Sequence, residues 1–389
     1  MSYLPEREMA ARLKAVQAIL RGKDLDLALV YYDEFNIGNG WYLTGWCPQF
    51  ESGAVLVPRE GEPMILGGPE SEPFAKLDSA ITETRNFPVF MVPNEEYPNA
   101  TIINFPKLFA ELKGKLKKVR RVALVGGGRM PADCYKQIVE GFKGVQLTDV
   151  TDDYVSLRYD KSPWEIRQIR KAFRLADAAY DAMRKRVKPG AVEIEIAAGG
   201  EYAVRSRGAS GFGFSAIVGS GARSNAVVPT AGPKKLKAGE MIMIGLSPKV
   251  CGYAGVMGDT LPVSGRYTAR QKDCIKVLRE AMVLTRGQLN PGKIGIEVDR
   301  PARQLFEKHG LLKYLVCPFA HTIGLQEAES PFFGPHSRDV VKPGMTICVD
   351  VSFFGHPEFN GARIETGYEI TSKGPVPLSP KMDRLFCGT

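Results

Sequence analysis

The spacing of apolar positions changes several times along the chain, and each change marks an element. Residues 7 to 23 repeat apolar positions at helical spacing and lead into "LALVY", Leu27 to Tyr31, which reads as a buried strand. The Gly/Asn-rich stretch "NIGNG" after it predicts a loop. Short apolar runs at "GAVLVP" and "PMILGG", a helix near 103 to 117 and a strand at Val122 to Val125 then alternate, as in an α/β domain. The "GGGR" that follows lacks the spacing of a phosphate-binding loop and reads as a tight strand exit.

A second region opens at "KSPWEIRQIRKAF". Ser162 is placed to cap a helix, Pro163 suits its first position, and Glu165 completes a capping box. Ile166, Ile169, Phe173, Ala176, Tyr180 and Met183 trace one face, and Pro189-Gly190 ends the element. Further helices are expected at 193–207, 268–288 and 297–309, with strands at 213–219, 241–264, 345–353 and 362–371. Within 241–264 the pattern predicts a hairpin: Met241 to Ser247 out, Pro248-Lys249 as the turn, Tyr253 to Val263 back. The division expected is residues 1–155 and 156–389, in an α/β (α+β) fold.

Composition narrows the class. A chain of 389 residues with 44% hydrophobic and 24% charged content can bury two ordinary cores. The apolar runs are too short to span a bilayer, so no membrane partner is expected. The N-terminus is charged, with no apolar leader. The seven cysteines are scattered and never spaced as CxxC, and both features suit a cytoplasmic protein. The net charge of +9 has its densest cluster at "LKGKLKKVRR". No aromatic residue interleaves with those lysines, so a solvated helix end is favoured over a nucleic-acid site.

Four segments, in order, resemble the creatinase, prolidase and aminopeptidase P family. They are "NGWYLTGW", "LRYDKSPWEIRQIRKAFRLAD", "AHTIGLQEAESP" against the family's HGIGLxxHExP, and "VKPGMTICVD" followed by "GARIETGYEIT". The resemblance implies a small creatinase-type N-terminal domain and a C-terminal pita-bread domain with the active site on a curved sheet. It also implies a homodimer, in which Trp41 and Tyr42 would line a partner's pocket or else pack in their own core. Metal-dependent members hold two divalent cations with two Asp, one His and two Glu. Aligned through Gly252-Tyr253, the two Asp positions fall on Gly245 and Val256; His321 and Glu365 match ligands, and Asp350 replaces a Glu.

The resemblance thus predicts a site without its metal chemistry. The expectation is a metal-independent, creatinase-like hydrolase or lyase with no cofactor, acting on a small polar, carboxylate-bearing substrate. In it His321 is general acid/base, with Asp350 and Glu365 beside it. Arg363, two residues from Glu365 on a strand, shares its face and suits a substrate carboxylate. Glu329 and Tyr253 complete the substrate-binding candidates, and Glu327 reads as a surface residue. Cys348 shares a strand face with Asp350 and reads as an inert buried thiol rather than a nucleophile. Two alternatives remain: a single-metal Xaa-Pro-type dipeptidase using His321, Asp350 and Glu365 around one divalent ion, and a non-catalytic pita-bread binding protein.

Overall fold

The computed structural model describes residues 3–115 and 119–388, with side chains at 113–115 left out; residues 116–118 of the basic cluster lie outside that description. The chain divides into two compact units, Met1–Arg158 and Tyr159–Thr389.

The first unit is built on a six-stranded sheet among the described residues. Its strands are β1 (Leu27–Tyr32), β2 (Gly53–Pro58), β3 (Met64–Gly67), β4 (Thr84–Asn86), β5 (Arg121–Val125) and β6 (Gln146–Asp149), in the order β4-β3-β2-β1-β5-β6. Central β1 and β2 are buried along their whole length, as their unbroken apolar runs require. Helices α1 (Glu6–Gly22), α2 (Ile37–Thr44), α3 (Glu72–Asp78), α4 (Phe105–Lys115), α5 (Ala132–Gly141) and α6 (Thr151–Ser156) complete it. The "NIGNG" stretch is helix α2 and not the predicted loop. Asp33 Oδ1 accepts from the backbone N–H groups of Phe35 (2.9 Å) and Asn36 (2.6 Å), which turns the chain into the helix. Gly40 lets that helix lie on the Tyr32 ring, where a Cβ would come within 2.0 Å of a ring carbon.

The second unit begins on α7 (Pro163–Arg184), whose capping box between Ser162 and Glu165 forms as the sequence predicts. Helices α8 (Glu193–Arg205), α9 (Ala269–Gln288), α10 (Gly295–Lys308) and α11 (Pro380–Cys387) follow. They accompany β7 (Gly211–Ser220), β8 (Met241–Val250), β9 (Tyr253–Ala254), β10 (Met257–Pro262), β11 (Ala320–Thr322), β12 (Glu329–Phe332), β13 (Thr346–His356), β14 (Asn360–Thr371) and β15 (Gly374–Pro377). The sheet runs β12-β11-β13-β14-β10-β8-β7, with β15 on β14 and β9 on β8.

Period-two alternation gives this sheet two unlike faces. Ile242, Ile244, Leu246, Met257, Ile347, Val349, Val351, Ala362 and Ile364 join the apolar core with Tyr180, Met183, Leu278 and Met282 of the helices. The opposite face carries the intervening polar residues. The predicted hairpin turn at Pro248-Lys249 is displaced: both stay within β8, and the chain reverses at Cys251 and Gly252, whose φ angles are 49° and 82°. No helix among the described residues is long and apolar enough to cross a membrane.

Candidate functional site

Antiparallel register assembles the polar face. Asp350 pairs with Glu365 across β13 and β14, Ser352 with Arg363, His321 with Cys348 across β11 and β13, and Gly258 with Glu365 across β10 and β14. Paired residues project from the same side of a sheet, so His321, Cys348, Asp350, Arg363 and Glu365 share one face.

Arg363 grips Asp350 with two parallel bonds, Nε to Oδ1 at 3.1 Å and Nη2 to Oδ2 at 3.0 Å. Both side chains are buried, and the fork geometry uses both carboxylate oxygens. This corrects two expectations. Asp350 is held by Arg363 and is not one of the grouped metal-type donors; Arg363 is engaged with Asp350 and not open to a substrate carboxylate.

Glu327 also differs from the sequence reading. It is 14% exposed at its side chain and stands against His321, with its Oε1 3.9 Å from Nε2. The loop that delivers it is tied at both ends: Ala254 N–H donates to the Gly324 carbonyl at 2.8 Å, and Thr322 Oγ1 to the Glu329 carbonyl at 2.7 Å. His321 Nδ1 lies 3.0 Å from the Thr322 carbonyl. A carbonyl only accepts, so the proton sits on Nδ1 and the Nε2 lone pair faces the site.

Burial first, together with neighbouring carboxylates, shapes the electrostatics. It pushes Glu327 up to about 7, with Arg363 pulling down and Asp350 pushing up. Glu365 is raised well above the carboxylate range by burial and by Asp350 and Glu327, and Arg363 is raised by the acids around it. Three carboxylates thus crowd one guanidinium in a buried place. Ser247 Oγ, Glu327 Oε1, Ser352 Oγ and Glu365 Oε2 are buried there without a hydrogen-bond partner. Such orphans call for a ligand, ion or water on this face.

The ligand-type atoms of His321, Glu327, Cys348 and Glu365 all lie within 4.8 Å of one another. Cys348 Sγ donates to Glu365 Oε1 at 3.2 Å. This arrangement fits one cation. It does not fit two, because the other arm of the face is apolar: Val256 is fully buried, and Ile217 lies where a Gly245 Cβ would come within 2.8 Å of it.

The remaining candidates are placed elsewhere. Glu329 makes a buried ion pair with Lys161 at 3.1 Å. Tyr253 is 1% exposed and donates its hydroxyl to Glu165 Oε1 at 2.6 Å, locking the hairpin to α7. Tyr42 is a core residue of the first unit, with the Arg12 guanidinium 4.6 Å from its ring centre and Tyr154 edge-on to it. Trp41 is half-buried on α2. Sequence reading placed Cys348 on this face by parity along β13 but as an inert thiol, and took Glu327 for a surface residue because it sits in a loop where parity carries no information.

Comparison with known proteins matches residues 167–372 to metallopeptidase family M24 and residues 12–159 to the creatinase/prolidase N-terminal domain. An Xaa-Pro dipeptidase of Pyrococcus furiosus is 29% identical over 298 residues, 74% of this chain and 83% of its own. An uncharacterized peptidase of Bacillus subtilis is 30% identical over 238 residues, 61% of this chain and 67% of that one. The solved prolidase of Pyrococcus horikoshii OT3 superposes with a TM-score of 0.79 at 23% identity, covering 95% of this chain and 97% of that one.

The expected fold, a creatinase-type N-terminal domain with a pita-bread C-terminal domain, stands. The expected metal-independent, creatinase-like activity without cofactor does not. The matched family is one of metallopeptidases, relatives bear the name Xaa-Pro dipeptidase, and the polar face holds a donor group suited to a cation. With the M24 match spanning most of the second unit and the N-terminal match most of the first, the chain belongs to metallopeptidase family M24.

Proposed function

We propose that the protein is a hydrolase of C–N bonds that acts on small peptides of the Xaa-Pro dipeptide class with one divalent ion. The observation that carries this reading is the convergence of His321, Glu327 and Glu365 on one buried point beside unpaired carboxylate oxygens. Relatives that bear the name Xaa-Pro dipeptidase support the substrate class.

His321, Glu327 and Glu365 would hold a divalent ion, which would supply Lewis acidity toward an amide carbonyl and lower the pKa of water. The chain's own residues do the rest. His321 keeps its Nε2 lone pair aimed at the site because Nδ1–H is committed to the Thr322 carbonyl. Arg363 holds Asp350 in place and offsets part of the negative charge that Asp350, Glu327 and Glu365 bring to the site. The orphan hydroxyls of Ser247 and Ser352 are available to hydrogen-bond a substrate amide. A homodimer accords with the family resemblance, and sedimentation at micromolar concentration tests it.

The deciding experiment is hydrolysis of Xaa-Pro dipeptides by purified protein after chelation, with Mn²⁺, Co²⁺ or Zn²⁺ restored singly. Turnover that appears with an ion and stops with chelator is expected. Turnover unaffected by chelation sinks the ion-dependent reading. Peptide binding without cleavage, under every ion, moves the protein to the non-catalytic reading that the apolar Gly245 and Val256 arm favours.

A further inference from the structure

We infer that Cys348 is a ligand to the single ion, so that the site is a relocated nitrogen, sulfur and carboxylate centre selective for zinc-class cations over hard ones. The inference rests on the proposed one-ion reading and deepens it by naming the donor set and the class of ion.

Position is the first argument. Cys348 pairs directly with His321 across β11 and β13, and its Sγ lies 3.2 Å from Glu365 Oε1. The thiol therefore stands between two of the other donors. Donors about 2.0–2.3 Å from a tetrahedral zinc-class ion stand about 3.3–3.8 Å apart. A group spread over no more than 4.8 Å closes on one ion by side-chain contraction of about 1 Å.

Charge is the second argument. Arg363 and Asp350 neutralise each other as a bidentate pair. Lys249, 7% exposed on the same face, acts electrostatically on Glu327. A dication beside Glu327, Glu365 and Lys249 favours a further anionic donor, which a Cys348 thiolate would supply. Burial and the neighbouring acids hold the free thiol protonated, but a dication at bonding distance outweighs them and deprotonates a coordinating thiol.

The donor set itself is the third. Hard ions take six or more oxygens, whereas this group offers two carboxylates, one imidazole nitrogen and one sulfur. The arm that would add carboxylate oxygen is closed by Val256 and by Ile217 over Gly245. Glu365 Oε2, in a residue 2% exposed, has no hydrogen-bond partner, with Arg363 Nε 3.9 Å away, and so keeps acceptor capacity for an ion.

Cobalt(II) is the probe. Chelated full-length protein is titrated with Co²⁺ while the near-ultraviolet sulfur-to-cobalt charge-transfer band is followed, in wild type, Cys348→Ser and the control Cys251→Ser. Elemental analysis gives the stoichiometry, and competition ranks Zn²⁺ against Mg²⁺ and Mn²⁺. About one ion per chain is expected, with the band present in wild type and the control. Cys348→Ser should lose the band and bind more than about tenfold more weakly, since even outer-shell substitutions cost metal sites 10–100-fold. If Cys348→Ser fails to fold by circular dichroism, His321→Ala must abolish the same band. An unchanged band in the variants, no high-affinity ion, or Mg²⁺ binding as tightly as Zn²⁺ overturns the inference. One bound ion without a sulfur band, with dipeptide cleavage intact, sinks the thiolate ligand and leaves the hydrolase reading standing. A sulfur band without cleavage does the reverse.

Discussion

The two arms of the polar face have diverged in opposite directions. On β11, β13 and β14 the face is crowded with charge: His321, Asp350, Arg363 and Glu365, joined from the loop by Glu327. On β8 and the run into β10 it is smooth: Gly245 under Ile217, the buried Val256, and Gly258 under Glu365. Both arms share one continuous apolar back, from Ile242 to Ile364, packed on the helices. The back specifies the fold and tolerates either front. No carboxylate is stranded on the smooth arm, because both positions where the family resemblance puts aspartates are apolar or empty here. A lone surviving acid would have cost several kcal/mol.

His321→Ala breaks the crowded arm hardest. Loss of the bound ion, and with it hydrolysis, by more than about a hundredfold is expected because a ligand is removed, with the circular dichroism spectrum retained. Arg363→Met tests whether the crowding needs its guanidinium. It leaves Asp350 buried without its bidentate partner and should cost about 3–5 kcal/mol in chemical denaturation; a loss under 1 kcal/mol would mean water already screens the cluster.

The back of the smooth arm carries its own titratable group. Asp259 is buried against Tyr180, whose hydroxyl donates to Oδ2 at 3.0 Å, and burial raises its pKa from 3.8 to about 7. The folded state therefore holds a proton that the unfolded state releases. That contribution is fully present below about pH 4 and is lost as pH rises through about 7. Glu327 acts in the same direction, so the informative quantity is wild type minus Asp259→Asn. That difference should shrink by on the order of a few kcal/mol between pH 4 and 8, and a pH-independent difference would place the charge elsewhere.

The smallest effect on ion binding is expected from Gly245→Asp. The new Cβ meets Ile217 Cγ1 at 2.8 Å, so overpacking should add about 1–3 kcal/mol to the cost of a lone buried acid, without adding a second ion. A second bound ion in this variant would show that the smooth arm is only one substitution from binding metal. Pairing it with Ile217→Ala relieves the crowding and sharpens the test.

Much of the fold was legible because its signals are local. The alternation of β8, β13 and β14 and the Ser162 capping box depend on residues a few positions apart. The "NIGNG" stretch misled because Asp33, outside it, supplies the acceptor that starts helix α2. The hairpin turn slipped to Cys251-Gly252 because β8 continues as a paired strand through Pro248 and Lys249, which face Phe212 and Gly211 on β7.

By itself, the sequence determined the two-unit fold, the face on which His321, Asp350, Arg363 and Glu365 gather, and the loss of both aspartates. The family resemblance implies those, and strand parity adds that Arg363 shares the face of Glu365. Only the tertiary structure decided who partners whom. Asp350 goes to Arg363, Glu329 to Lys161, Tyr253 to Glu165, and Glu327 turns inward beside Cys348. Those choices depend on register between strands distant in sequence and on the path of one tied loop. A buried charge takes whatever countercharge that packing brings within reach.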